Sequence, residues 1–182
     1  YIRQHHIRAF VPSEGLLLTI RPVFSEFAHL IPFHEQEQVL YRGMSKFDLF
    51  AFLLSDQIDA EVKAHLPPTL LIRNWGEVPE QAELEKLGVP LYIKVDGSYS
   101  TTGEGGAVYK ADSVADAYQQ LQHLAPRFRN AVIQGYVGGQ GVGAFFLRWN
   151  GQLLAQFMHR RLHEVPYTGG LSSLRESWWH AA

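Results

Sequence analysis

The sequence contains no cysteine. Disulfide cross-links, thiolate nucleophiles and cysteine-bound metals are therefore excluded, and the composition suits a reducing compartment. It also lacks an excess of either charge. Sixteen Lys and Arg stand against eighteen Asp and Glu, for a net charge of -2, so the broad basic field of a nucleic-acid binder is missing. Arg127 and Arg129 around Phe128 are the one local basic cluster, and a solvated helix end accounts for it. Long apolar runs are missing too. Leu16 to Ile20 is too short to cross a bilayer or to form the core of a signal sequence, so no membrane is expected and the cytoplasm is the expected compartment. What is present is 46% apolar content over 182 residues, enough to bury a real core in one domain or two small ones. The chain begins at Tyr1 rather than methionine, and Ser177-Trp178-Trp179-His180-Ala181-Ala182 reads as the first turns of a helix. Both ends look cut, as in a piece of something longer.

Residues 1–40 carry scattered aromatics, prolines at 12, 22 and 32, and one plausible strand from Leu16 to Arg21. Ser45 with Asp48 is an N-terminal capping signature, and Phe47, Phe50, Ala51 and Leu54 fall at helical spacing, which predicts a helix from Lys46 to about Ser55. Lys46 sits in its first turn, where the helix dipole disfavours a cation. Either an anion lies nearby or the lysine is simply exposed. Leu70 to Arg73 reads as a short strand after Pro67-Pro68, Pro79 opens a helix that Gly88 closes, and Val89-Pro90 leads into the next strand. Ser113 with Asp116 caps a helix whose Val114, Ala117, Tyr118, Leu121 and Ala125 share a face. Ala131 to Val137 is a further strand, and Asn150-Gly151 joins Gly143–Trp149 to Gln152–Met158 in a hairpin. Antiparallel sheets with helices packed on one side are expected.

Residues 91–106 are the most informative segment. Alternation puts Leu91, Ile93 and Val95 on one face and Tyr92, Lys94 and Asp96 on the other, so an ammonium is aimed at whatever the following loop encloses. The loop offers glycines at 97, 103, 105 and 106 for close backbone approach, and hydroxyls at Ser98, Ser100, Thr101 and Thr102. A polyphosphate site and a surface hairpin with a solvated lysine both fit. The loop feeds a strand and the lysine precedes it, which excludes a P-loop and a Rossmann fingerprint.

Taken in order, Ser45-Lys46, the Leu66-Pro67-Pro68-Thr69 strand entry, Lys86-Leu87-Gly88-Val89-Pro90-Leu91-Tyr92-Ile93-Lys94, the glycine loop, Ile133-Gln134-Gly135-Tyr136-Val137 with the glycines after it, and the run from Met158 to Gly170 resemble the ATP-grasp ligases. The likeness is to the carbamoyl-phosphate-synthase-like and carboxylate–amine ligase branch, and it covers about Ser45 to Ser177. The resemblance implies an α+β fold of two α+β subdomains with antiparallel sheets that grip ATP between them, the C-terminal part missing. Residues 1–40 would be an N-terminal segment of unclear role, 41–88 a linker with helices, 89–137 the small ATP-binding subdomain and 138–182 the start of the larger one. It further implies that Lys46 and Lys94 reach the nucleotide, that Ser100, Thr101, Thr102, Gly103, Gly105 and Gly106 fold over the phosphates, and that Gln134, Gly135, Tyr136 and Val137 form the adenine-binding hinge.

In such ligases a carboxylate and ATP give an acylphosphate, from which an amine displaces phosphate; positioning and charge neutralisation are the main requirements. Arg160 and Arg161 would be the catalytic cations that clamp a carboxylate or acylphosphate. His159 and the loop Thr168, Gly169 and Gly170, ahead of a helix capped by Ser173 and Glu176, would meet substrate. Pairing of the arginines with Glu164 on a surface turn is an equal alternative. His159 and His163 lack a third ligand, so no metal site is expected there.

Two departures stand out. Gln134-Gly135 stands in the hinge where such ligases usually carry a glutamate. The carboxylates that bind Mg²⁺ would lie beyond Ala182, so the piece as written is expected to be inactive and at most a weak ATP binder. The expected cofactors are ATP and Mg²⁺, and the expected partners small-molecule carboxylates and amines. A non-catalytic nucleotide- or metabolite-binding module derived from the same fold is the alternative, and an interaction domain a third.

Overall fold

A computed structural model describes residues 1–32, 36–75, 78–165 and 171–179. The chain forms two compact units, residues 1–136 and 137–182.

The first unit opens with short helices. Ser13 accepts a hydrogen bond from the Leu16 amide and caps α1 (Glu14–Ile20), and α2 (Phe24–Phe27) and α3 (Glu37–Met44) follow. Leu17, Ile20, Phe24, Ile31 and Tyr41 bury one another in a small core. The strand expected from Leu16 to Arg21 is thus a helix. An apolar run this short fits either period, and here the Ser13 cap and the 17, 20, 24 spacing of the buried residues favour the helical one.

After α4 (Lys46–Leu53) and α5 (Ala60–Lys63) comes a four-stranded antiparallel sheet in the order β1-β4-β2-β3. Its strands are β1 (Thr69–Ile72), β2 (Leu91–Val95), β3 (Ala107–Ala111) and β4 (Ala131–Gly135). Helix α6 (Gln81–Leu87) starts with a reciprocal capping box between Glu80 and Glu83, and α7 (Val114–Leu124) is capped by Ser113. The main core lies between the sheet and these two helices. Ile72, Leu91, Ile93, Val95 and Ile133 from the strands meet Leu84, Ala117, Leu121 and Leu124 from the helices, which matches the period-two and period-3.6 patterns of the segments.

The expectation of helices on one side only is corrected by α4. It packs on β1, β2 and β4, and it does so on the face of Lys94 and Asp96, because the Phe47 amide donates to the Asp96 carboxylate. The physical reason is that α4, Lys-Phe-Asp-Leu-Phe-Ala-Phe-Leu, is apolar nearly all round and needs cover on more than one side. It also supplies cover for Val132, which is fully buried although it points away from the main core.

The second unit is a three-stranded antiparallel sheet, β5-β6-β7. Strand β5 (Val142–Trp149) turns at Asn150-Gly151 into β6 (Gln152–Val165), and β7 (Leu171–Ser177) pairs with the far half of β6. The helix expected from Ser173 is therefore a strand, and the chain from Ser177 to Trp179 is not helical. Ser173 and Glu176 have capping spacing, but the long β6 offers an unpaired edge, and a ladder to that edge outweighs a local cap. Among the described residues no helix is long and apolar enough to cross a membrane.

Candidate functional site

The site expected from the sequence begins on β2. Its fully buried Leu91, Ile93 and Val95 lock the strand's phase, so Lys94 and Asp96 must emerge on the α4 side. Asp96 is 6% exposed. Its carboxylate accepts from the Ser45 hydroxyl at 3.0 Å and from the Phe47 amide at 2.9 Å, and Ser45 in turn accepts from the Asp48 amide at 3.0 Å. Asp96 is thus an anion seated at the α4 N-terminus, where it holds the Ser45 hydroxyl and the Phe47 amide.

Lys46 is exposed in that turn. Lys94, half-buried, is held below the ordinary lysine pKa by burial and then by the like charge of Lys46. The structure therefore brings the two lysines within electrostatic reach of each other. Lys94 Nζ donates to Gln134 Oε1, Gln134 Nε2 donates to Thr69 Oγ1 at 3.0 Å, and the Thr69 hydroxyl donates to the Pro67 carbonyl at 2.6 Å. Gln134 is 3% exposed.

The glycine loop is anchored at its start. The Thr101 amide donates to Arg127 O and the Arg129 amide to Tyr99 O, both at 2.8 Å, and the Thr101 hydroxyl donates to Pro126 O at 2.8 Å. Ser100 Oγ accepts from the Thr102 and Glu104 amides, and Thr102 Oγ1 donates to Glu104. Ser100, Thr101 and Thr102 thus direct their hydroxyls into the loop and the segment after α7. Arg127 closes the arrangement through an ion pair with Glu104, whose carboxyl it holds at about 2 together with the Thr102 hydroxyl. Gly106 lies tight against the Val95 carbonyl, whereas Gly103, at φ 79°, and Gly105 face open space. Tyr99 packs edge-on against Phe47 and donates to Asp48 at 2.5 Å, so burial and that bond push its hydroxyl up to about 12.

In the segment expected to meet adenine, the Gly135 amide donates to Pro68 O at 3.0 Å, and Tyr136, 58% exposed, lies beside Tyr92 with ring centroids 6.3 Å apart. Val137 is exposed as well and begins the second unit.

In that unit Arg160 pairs with Glu176 across the β6–β7 ladder, and Arg161 pairs with Glu164 at 3.1 Å. The arginines are thus engaged by two different carboxylates, and the Nε of Arg161 is buried without a hydrogen-bond partner. His159 is 4% exposed and clusters with the rings of Phe145 and Phe157, at 5.3 and 6.3 Å. The anion donors expected from a helix start at Ser173 are absent, since Ser173 lies within β7. Thr168, Gly169 and Gly170 lie outside the described residues.

Sequence reasoning placed Asp96 on the Lys94 face without assigning it, and missed Thr69, Glu104 and Arg127. Asp96 was within reach, as a carboxylate whose face is fixed by strand phase. The Glu104–Arg127 pair spans 23 positions and leaves no local signature.

The residues fit a polyphosphate, because two neighbouring ammonium groups lie on one side of the sheet and two unobstructed glycines follow in the loop. Among the described residues no three His, Asp or Glu side chains come together as a metal site.

No protein-family model matches the chain, and no curated protein matches it in sequence. Solved structures match it in fold. D-alanine–D-alanine ligase from Bacillus anthracis complexed with ATP is similar with a TM-score of 0.57 at 15% identity, over 94% of this chain and 52% of that one. A second structure of that ligase gives a TM-score of 0.53 at 15% identity, over 98% of this chain and 52% of that one. The chain thus spans about half the length of the ligase structures it matches. The likeness shows the fold, a mixed helix and antiparallel-sheet architecture shared with those ligase structures.

Proposed function

We propose that this chain is the nucleotide-gripping part of an ATP-dependent ligase, of the carboxylate–amine kind, acting in the cytoplasm on small-molecule substrates. The observation that carries the proposal is the Lys46 and Lys94 pair. Lys94 is desolvated, disfavoured by a like charge, and hydrogen-bonded to a neutral amide. Such a pair is stabilised when an anion arrives, and a triphosphate supplies charge of the right sign and extent.

In the reaction proposed, a substrate carboxylate oxygen attacks the terminal phosphorus of ATP, and ADP leaves. An amine then attacks the acyl carbon and phosphate departs. The lysines of this chain would bind and orient the phosphates, and the backbone at Gly103 and Gly105 would close over them. The hinge at Gln134 to Val137 would meet the base. Arg160 and Arg161 would serve the carboxylate only after leaving Glu176 and Glu164. The residues that hold Mg²⁺ would come from the part of the ligase that this chain does not span.

The test uses thermal melting with millimolar ATP. Binding to the native state raises the midpoint of this chain, and Lys94→Ala, which leaves the buried face of β2 untouched, weakens ATP by about tenfold to a hundredfold and removes most of the shift. An equal shift in the well-folded variant refutes the role of Lys94. The second reading is a nucleotide-binding module without chemistry. The engagement of both arginines by carboxylates favours it, and a longer protein that binds ATP yet releases no phosphate with any carboxylate and amine would establish it.

A further inference from the structure

Lys94, Gln134, Thr69 and Pro67 form a directional chain of hydrogen bonds whose order follows from what each group can do. The single proton of the Thr69 hydroxyl goes to the Pro67 carbonyl at 2.6 Å, so Thr69 presents a lone pair to its other neighbour. The Lys94 ammonium has only donors. A group between them must accept on one side and donate on the other, and the Gln134 amide does both, with Oε1 toward Lys94 and Nε2 toward Thr69 at 3.0 Å. Backbone pairing fixes the frame, since β4 sets Gln134 opposite both Thr69 of β1 and Tyr92 of β2. A glutamate at 134 would satisfy Lys94, but its second oxygen would face the Thr69 lone pair.

The side chain also matters for what it does not carry. A carboxylate here would form a sheltered ion pair with Lys94 and cancel the charge that an anionic ligand needs. An amide holds the ammonium in place and leaves the charge whole. We infer that Gln134 is a positioning residue that fixes the Lys94 ammonium without neutralising it, so that the counter-charge comes from the polyphosphate of the ligand. This deepens the nucleotide reading above and rests on it for the identity of the ligand. The desolvation of Lys94 and the like charge of Lys46 disfavour the ammonium while the site is empty, so an arriving anion offsets both.

The test compares the chain with Gln134→Glu and with the uncharged isostere Gln134→Met. Calorimetric titration with inorganic tripolyphosphate and with ATP should show Gln134→Glu weaker by about tenfold or more, and Gln134→Met weaker only severalfold, because it loses a hydrogen bond but adds no charge. Equal losses in the two variants, or none in Gln134→Glu, overturn the inference. A second measurement needs no ligand. Lysine side chains carrying ¹³C-methyl labels are titrated by NMR, and the Lys94 signal should titrate higher in Gln134→Glu than in the unsubstituted chain. An unchanged Lys94 titration also overturns it. If the unsubstituted chain binds neither probe, the nucleotide reading fails, while the titration still decides the role of Gln134. Should Gln134→Glu not fold, Gln134→Met keeps the question open to a result. It should lower the Lys94 titration further by removing the acceptor, and a titration as in the unsubstituted chain counts against Gln134.

Discussion

Gly135 shows how closely the backbone is packed at the edge of the candidate site. A Cβ there would lie 2.1 Å from the Leu87 carbonyl oxygen, and that oxygen belongs to the end of α6, whose Leu84 is held in the main core. Neither side can move without cost. Gly135→Ala should therefore destabilise the first unit by about 2 to 4 kcal/mol, as overpacking against backbone does, and a urea melt that keeps its midpoint would show that the approach is looser than described. The sequence singled out Gly135 for its place after Gln134, and its steric role was hidden because Leu87 is distant in sequence. At Gln134 the sequence points only to the backbone around it. Its side-chain role depends on Thr69, 65 positions away, and strand register across three strands is needed to see it. Lys94, by contrast, was legible from its own strand, since alternation alone fixes its face.

Among elements, those with a local signal were legible and those decided by a remote partner were not. Ser45 and Ser113 announce α4 and α7 through caps that form as expected, and alternation marks β2. β7 was hidden because the edge of β6 that selects it is a tertiary feature. The glycine loop lies between these cases. Its composition was plain, but its anchoring to residues 126–129 and its ion pair with Arg127 were not. That pair makes the loop sensitive to acid. Glu104 is held at about 2, below the ordinary glutamate value of about 4.5, so the folded state favours the ionised carboxylate. The stabilisation is complete above about 4.5 and is lost as the pH falls through about 2. Glu104→Gln should lower the melting midpoint by about 1 to 3 °C at neutral pH, the modest effect of a partly exposed pair, and the difference should fade to nothing as the pH approaches 2. A constant difference across that window would mean that Glu104 acts by packing rather than by charge.

At the scale of the whole molecule, the two units differ in how they meet solvent. The first has two apolar clusters, one under the sheet and one among α1 to α3, and these give it the means to fold by itself. The second leaves Phe145, Phe146, Leu147, Leu154 and Phe157 half or more exposed, or close to it. Side chains alternate along β5, so Phe145 and Leu147 lie on one face and Phe146 on the other. Apolar surface on both faces of one sheet is uncommon for a stable monomer and calls for cover. Under the proposed function the rest of a longer ligase would supply that cover. Residues 1–136 alone should then melt in a single cooperative step near the midpoint of the first unit in the 182-residue chain. They should also bind an apolar-surface dye such as ANS far less than the whole chain does, and a longer protein that includes the remainder should bind it less again. If residues 1–136 bind the dye as strongly as the whole chain, the bare sheet is not the source of the exposed apolar surface and needs no cover.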